Sequence, residues 1–190
     1  MFRSYATPFL SMIVYLTPYS SHQETLTHIL SSKPITALAA TTLFNSLPPL
    51  PATGMLGSWH GTCALTDHHG ITALRAARWV GKDFHSTEDV NPIISLDASL
   101  PYPVTKKGQG RVVNSFMGKA RIREVKYNNV VSAAMVYNDK PIIDHFRAID
   151  DRTVMGVMDA AGAVEDHPLY FVLERIGDCP KPKGAADGKL

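Results

Sequence analysis

The sequence predicts a mainly β protein, an antiparallel β-barrel preceded by one helix. Three observations carry that expectation. From Gly118 to Asp159, apolar and polar residues alternate through four short segments separated by turn residues, as in an antiparallel meander with two distinct faces. One longer stretch, residues 32–47, instead repeats apolar residues at helical spacing. Closing the strands into a barrel removes the sheet edges that would otherwise invite pairing with other chains.

The chain has 190 residues, enough for one domain with a real core. Hydrophobic residues make up 45%, charged residues 19%, and the formal net charge is only +2. No basic tract is dense enough to suggest a nucleic-acid partner, and no zinc-finger spacing occurs. No dinucleotide-binding fingerprint or phosphate-binding loop is present either. Cys63 and Cys179 are too few for a disulfide scaffold, and nothing in the sequence requires them to pair.

Residues 1–31 read as an extension, either disordered or a targeting segment. Residues 1–23 contain one Arg, Arg3, and no acidic residue, and the apolar run Phe9–Leu16 is too short for a membrane-spanning helix, so no stable membrane span is expected. The run has the length of a signal-peptide core, and a mitochondrial presequence is the other targeting alternative; both signals are weak. A cytoplasmic location is therefore the expectation. Residues 32–176 form a single barrel domain in this reading. Residues 177–190, with Pro180, Pro182, Gly184 and Gly188 set among lysines, read as a disordered tail. The oligomeric state is left open.

Within the body, Ser32 is placed to cap a helix with Pro34 in its first turn, Ile35, Ala39, Leu43 and Leu47 recur every four residues, and Pro48-Pro49 stops it. Residues 50–54 are a stiff connector. The strand MLGSWHGTCAL follows, its Trp59 set between Gly57 and Gly61; a packing role is favoured, with the indole N–H needing a partner. The loop Thr66–Gly70 holds His68 and His69 but lacks a spaced third ligand, so no metal site is assigned. Ile71–Ala77 reads as a short helix, and Arg78–Phe84, Ile93–Leu96 and Arg111–Met117 as strands around a loop at 97–110. After the meander, Leu169–Ile176 is a last strand.

Hairpin geometry then sorts the meander's side chains. Asn tolerates left-handed backbone angles, so Asn128-Asn129 makes a two-residue loop. A second two-residue loop falls at Asn138-Asp139 or Asp139-Lys140; the first of these sets Ser132 opposite His145, with Val125 opposite Ser132. One face then carries Ala120, Ile122, Glu124, Ala133, Met135, Tyr137, Asp144 and Phe146. The other carries Arg121, Arg123, Tyr127, Ser132, Ala134, His145 and Arg147. That second face is either a charged outer surface or a polar lining for an anionic or carbonyl-bearing ligand. In the latter case His145 is the candidate catalytic acid or base, and Arg123, Ser132, Arg147 and Trp59 are candidate ligand-binding residues. Asp144 and His145 are neighbours in a strand and point oppositely, so they cannot form an Asp–His relay. Ser132 lies mid-strand without a strained elbow, which disfavours a serine hydrolase.

Several of these segments resemble a known family. GSWHG (57–61) resembles the defining motif of the GXWXG domain, and WVGKDF (79–84) with EDVNP (88–92) is similar to its continuation. GKARIR, SAAMVY, PIIDHF and VMGVMD resemble the domain of unknown function that usually follows it, so the likeness spans about residue 41 to about residue 176. The family has no assigned activity, so the resemblance implies a class without a mechanism. A more distant similarity, to nitrobindin and fatty-acid-binding-like barrels, implies a calycin-like barrel. Thr62-Cys63 departs from the nitrobindin pattern, so haem is not expected and no cofactor is assigned.

Three functions remain in view. The first is a barrel that binds a small apolar or amphipathic molecule. The second is a cofactor-free isomerase, cyclase or hydrolase using His145 and a nearby Arg in the lumen. The third is a structural or interaction domain with a packed centre.

Overall fold

The computed structural model describes residues 35–64, 66, 68–103, 106–162 and 167–177. The expected extension, the tail with Cys179, and the helix start at Ser32 and Pro34 lie outside them. The first helix, α1 (Ala37–Ser46), begins later than the sequence spacing suggests, because Thr36 is its cap: Thr36 Oγ1 accepts a hydrogen bond from Ala39 N at 3.2 Å. Pro48-Pro49 follows its end as expected, since neither residue can donate to continue the ladder. A single 3-10 turn (Ala52–Met55) then leads into the sheet.

Nine strands follow among the described residues: β1 (Gly57–Ala64), β2 (Trp79–Phe84), β3 (Val90–Leu96), β4 (Arg111–Val113), β5 (Ala120–Tyr127), β6 (Val130–Tyr137), β7 (Ile142–Ala148), β8 (Thr153–Ala160) and β9 (Leu169–Ile176). A second helix, α2 (Gly70–Ala76), connects β1 to β2. The expected strand Arg111–Met117 is shorter than read: Arg111–Val113 is extended, but Asn114 caps a 3-10 turn over Ser115–Met117 by accepting from Phe116 N. The sheet runs β2-β1-β9-β8-β7-β6-β5-β3-β4, and β2 also pairs with β3, which closes a barrel of eight antiparallel strands with β4 appended to β3. The fold is thus the mainly β, closed antiparallel barrel with an N-terminal helix that the sequence predicts.

Two apolar clusters separate inside from outside. Trp59, Trp79, Phe84, Ile122, Met135, Phe146, Val154 and Phe171 belong to one cluster, drawn from strands all around the ring, so it lines the lumen. The other joins Ala40, Leu43, Phe44 and Leu47 of α1 and its end to Met155, Val157, Tyr170 and Val172 of β8 and β9. That cluster lies outside the barrel, where α1 covers one wall.

Glycines permit the lumen's close packing at two places. A Cβ on Gly61 would lie 2.2 Å from Trp79 Cη2, and one on Gly156 would lie 2.3 Å from Phe171 Cζ. Each large ring therefore packs directly against a strand that lacks a side chain at that point. The second glycine of the GSWHG motif serves the Trp79 ring rather than Trp59.

One seam of the wall departs from a simple ladder. β6 and β7 share three registered pairs, Ala134 with His145, Met135 with Asp144 and Val136 with Ile143. Beyond them the connector after α1 enters between the strands. Ala133 N donates to Leu50 O and Ala148 N donates to Pro48 O, both at 2.9 Å. Leu50 N donates to Ser132 Oγ at 3.1 Å, and Ser132 Oγ donates to Phe146 O at 2.7 Å. Residues 48–50 thereby satisfy strand groups that the parted ladder leaves open.

Candidate functional site

Among the described residues, Lys82 and Asp144 form an ion pair in the lumen. Lys82 faces inward because it registers opposite Trp59 of β1, and Asp144 faces inward because it registers opposite Met135 of β6. Lys82 Nζ lies 2.8 Å from Asp144 Oδ2, with the two side chains 4% and 2% exposed. The ammonium also donates to Pro92 O at 3.1 Å. It lies 5.2 Å from the Phe171 ring centre and 5.8 Å from those of Trp79 and Tyr137, close enough for cation–π attraction. Burying two charges costs several kcal/mol each, on the order offset only by good pairing and further hydrogen bonds. Here the pairing is incomplete: Asp144 Oδ1 and the Trp79 Nε1–H have no hydrogen-bond partner among the described residues. Burial, reinforced by the charge of Asp144, raises the Tyr137 phenol well above its ordinary pKa, so it stays protonated and can donate.

The residues singled out in the sequence lie elsewhere, apart from Trp59. Trp59 is 1% exposed in the lumen; its Nε1 donates to Met55 O at 2.7 Å, and the Arg175 guanidinium lies 4.1 Å from its ring centre. His145 and Arg147 share a face, as expected, but that face points out of the barrel beneath α1, not into the lumen. The inward positions of the same strand belong to Asp144 and Phe146. The His145 ring stacks on Tyr127 at 4.1 Å, and its Nε2 is 3.7 Å from Asp159 Oδ2. Burial lowers the pKa of His145, opposed by Asp159 and Asp144 and assisted by Arg147. Arg147 is buried with its guanidinium 5.3 Å from the Phe44 ring centre of α1, and its Nη2 donates to Tyr127 O at 3.1 Å.

Ser132 opposite His145 is a correction. The second hairpin turns over Asn138–Pro141, longer than the two-residue loop expected, and His145 registers with Ala134 instead. Ser132 Oγ is engaged with Leu50 N and Phe146 O. Arg123 lies on the same face, opposite Ala134, but its side chain is engaged elsewhere, with Nη1 on Thr87 O and Ile122 O and Nη2 on Glu88 Oε2 at 2.9 Å. Near the other end of the barrel, the His68 ring lies 5.9 Å from that of His69 and 5.7 Å from that of His167. No group of three or more His, Cys, Asp or Glu among the described residues is placed to hold a metal ion. No helix among them is long and apolar enough to cross a membrane.

Lys82 and Asp144 went unread as a site, although one signal was available. Asp144 sits between Ile142 and Phe146 on the apolar face of the meander, and a carboxylate there needs a partner.

Comparison with known proteins agrees with this architecture. Residues 42–99 match the family model described as GXWXG protein, and residues 118–175 match the Domain of unknown function (DUF4334). A crystal structure of a protein from Thermomonospora curvata is similar to this chain, with 31% sequence identity and a TM-score of 0.72, over 83% of this chain and 99% of that one. No curated protein matches. With both models matched in order around one closed barrel, and a solved relative covered almost end to end, the chain belongs to the family of GXWXG proteins that carry the DUF4334 domain.

Proposed function

We propose that the barrel binds a small apolar or amphipathic molecule in its lumen. One observation carries the reading: a lumen lined by Trp79, Tyr137, Phe146 and Phe171 contains a buried carboxylate oxygen and an indole N–H with no partner among the described residues. Ligand sites are mostly apolar walls with a few convergent polar groups, and this lumen has that composition. A purely structural barrel centre gains nothing from a buried charge pair, since well-packed apolar residues in its place are often neutral or stabilising.

Acid–base turnover on His145 has less support. An isomerase or cyclase needs its base within hydrogen-bond reach of the substrate, and His145 faces away from the lumen. Trp79 supplies the test. Its indole Nε1–H cross-peak in a 1H–15N spectrum should move when a library of small ring compounds is titrated in. If no compound moves it and none raises the melting temperature, the packed interaction domain is the better reading.

A further inference from the structure

We infer that the lumen site takes a neutral ring compound carrying a hydroxyl group and discriminates against carboxylates. The inference rests on the lumen-binding reading and adds the chemistry of the occupant. The charge of Lys82 is matched by Asp144 at 2.8 Å, and Arg175, registered opposite Trp59, is the other cation on the inner face. The ammonium is already committed to Asp144 Oδ2, to Pro92 O and to three ring faces. An acceptor, Asp144 Oδ1, and a donor, Trp79 Nε1–H, remain unmatched among the described residues. A hydroxyl is donor and acceptor at once and can answer either group or both. A carboxylate is acceptor only; it would leave Asp144 Oδ1 unanswered and set a second negative charge near it.

The arginines do not restore an anion site. Arg147 and Arg123 lie outside the lumen, bonded to Tyr127, Thr87, Ile122 and Glu88. Arg175, beside Trp59, donates through Nη1 and Nη2 to the carbonyls of Leu56 and Gly54. The aromatic walls favour a flat, apolar body for the rest of the ligand. A site built around a hydroxyl rejects analogues lacking it more strongly than an apolar pocket rejects a missing methylene, because its own buried groups are then left unpaired.

Three probes of nearly one shape separate the possibilities at pH 7: p-cresol, 4-methylanisole and p-toluate. Affinities come from shifts of the Trp79 indole cross-peak. The expected result is that p-cresol binds at least about tenfold more tightly than either of the others. In a Lys82→Met/Asp144→Leu variant, chosen because replacing both charges avoids an unpaired ion, the preference should fall to about twofold or less. Toluate binding as tightly as cresol, or the cresol preference persisting in the double variant, overturns the hydroxyl assignment while leaving lumen binding intact. Failure of all three probes to bind overturns the lumen reading and this inference with it.

Discussion

Lys82 and Asp144 meet across the barrel lumen at 2.8 Å, one from β2 and the other from β7, with both side chains almost fully sealed from solvent. The pair links two walls that share no ladder. Removing one partner leaves a bare buried charge, so Asp144→Ala should lose about 3–5 kcal/mol of stability in urea denaturation. Replacing both, as Lys82→Met/Asp144→Leu, should come within about 1 kcal/mol of the parent or exceed it. A double variant as unstable as the single one would show that the pair is not an isolated charge problem.

The aromatic packing predicts a second, separable effect. Gly61→Ala drives a methyl to 2.2 Å from the Trp79 ring, so the ring or the strand must shift. The expected cost is about 1–3 kcal/mol, typical of overpacking. Combining Gly61→Ala with Trp79→Leu should be less costly than the sum of the two single changes. Simple additivity in that double-mutant cycle would mean that the ring does not rest on Gly61.

Ser132 is a fastener at the seam. In Ser132→Ala, the Leu50 N–H loses its acceptor in a partly buried position, which should cost about 1–3 kcal/mol. Hydrogen exchange at the Leu50 and Ala133 amides should accelerate more than exchange in β8 or β9. Uniform acceleration across the sheet would argue against a local role.

His145 predicts a pH dependence. Its folded pKa is depressed, chiefly by burial, below the unfolded value of about 6.5. Between the two values the unfolded chain binds more protons than the folded one. The stabilisation linked to neutral His145 is therefore complete above about pH 6.5 and is lost as pH falls through the folded pKa. In His145→Gln this component of the stability profile should flatten, as read by melting temperature against pH. NMR titration of the imidazole at or above its ordinary pKa would contradict the burial account.

How much of this was legible in the chain follows from the geometry of hairpins. Asn128 and Asn129 have φ of 47° and 64°, the positive angles that a two-residue turn requires, so the β5–β6 register was readable from the sequence. The next turn is longer by an even number of residues. Parity survived, so His145 and Arg147 were placed together on the correct face while the residue opposite His145 was wrong. Which face turns inward was not local information. It depends on ring closure through β2–β3 and on α1 covering β8 and β9, both contacts between distant segments. The basic face is divided: Arg121 and Arg123 on β5 stand at the solvated surface, while His145 and Arg147 on β7 are buried and Arg147 packs against Phe44 of α1. The Lys82–Asp144 pair was hidden for the same reason: the strands that carry it do not neighbour each other in the ring.

The seam at residues 48–50 also sets an order of events for folding. Leu50 is made well before its partner Ser132, which lies 82 residues further along the chain. The connector cannot take its place until β6 and β7 exist, and until then those strands have open polar groups along the gap. Contacts so distant in sequence are slow to form, because their closure entropy must be met before they contribute. The residues joining α1 to the barrel should therefore be among the last to gain protection during refolding, although they are made before the strands they join.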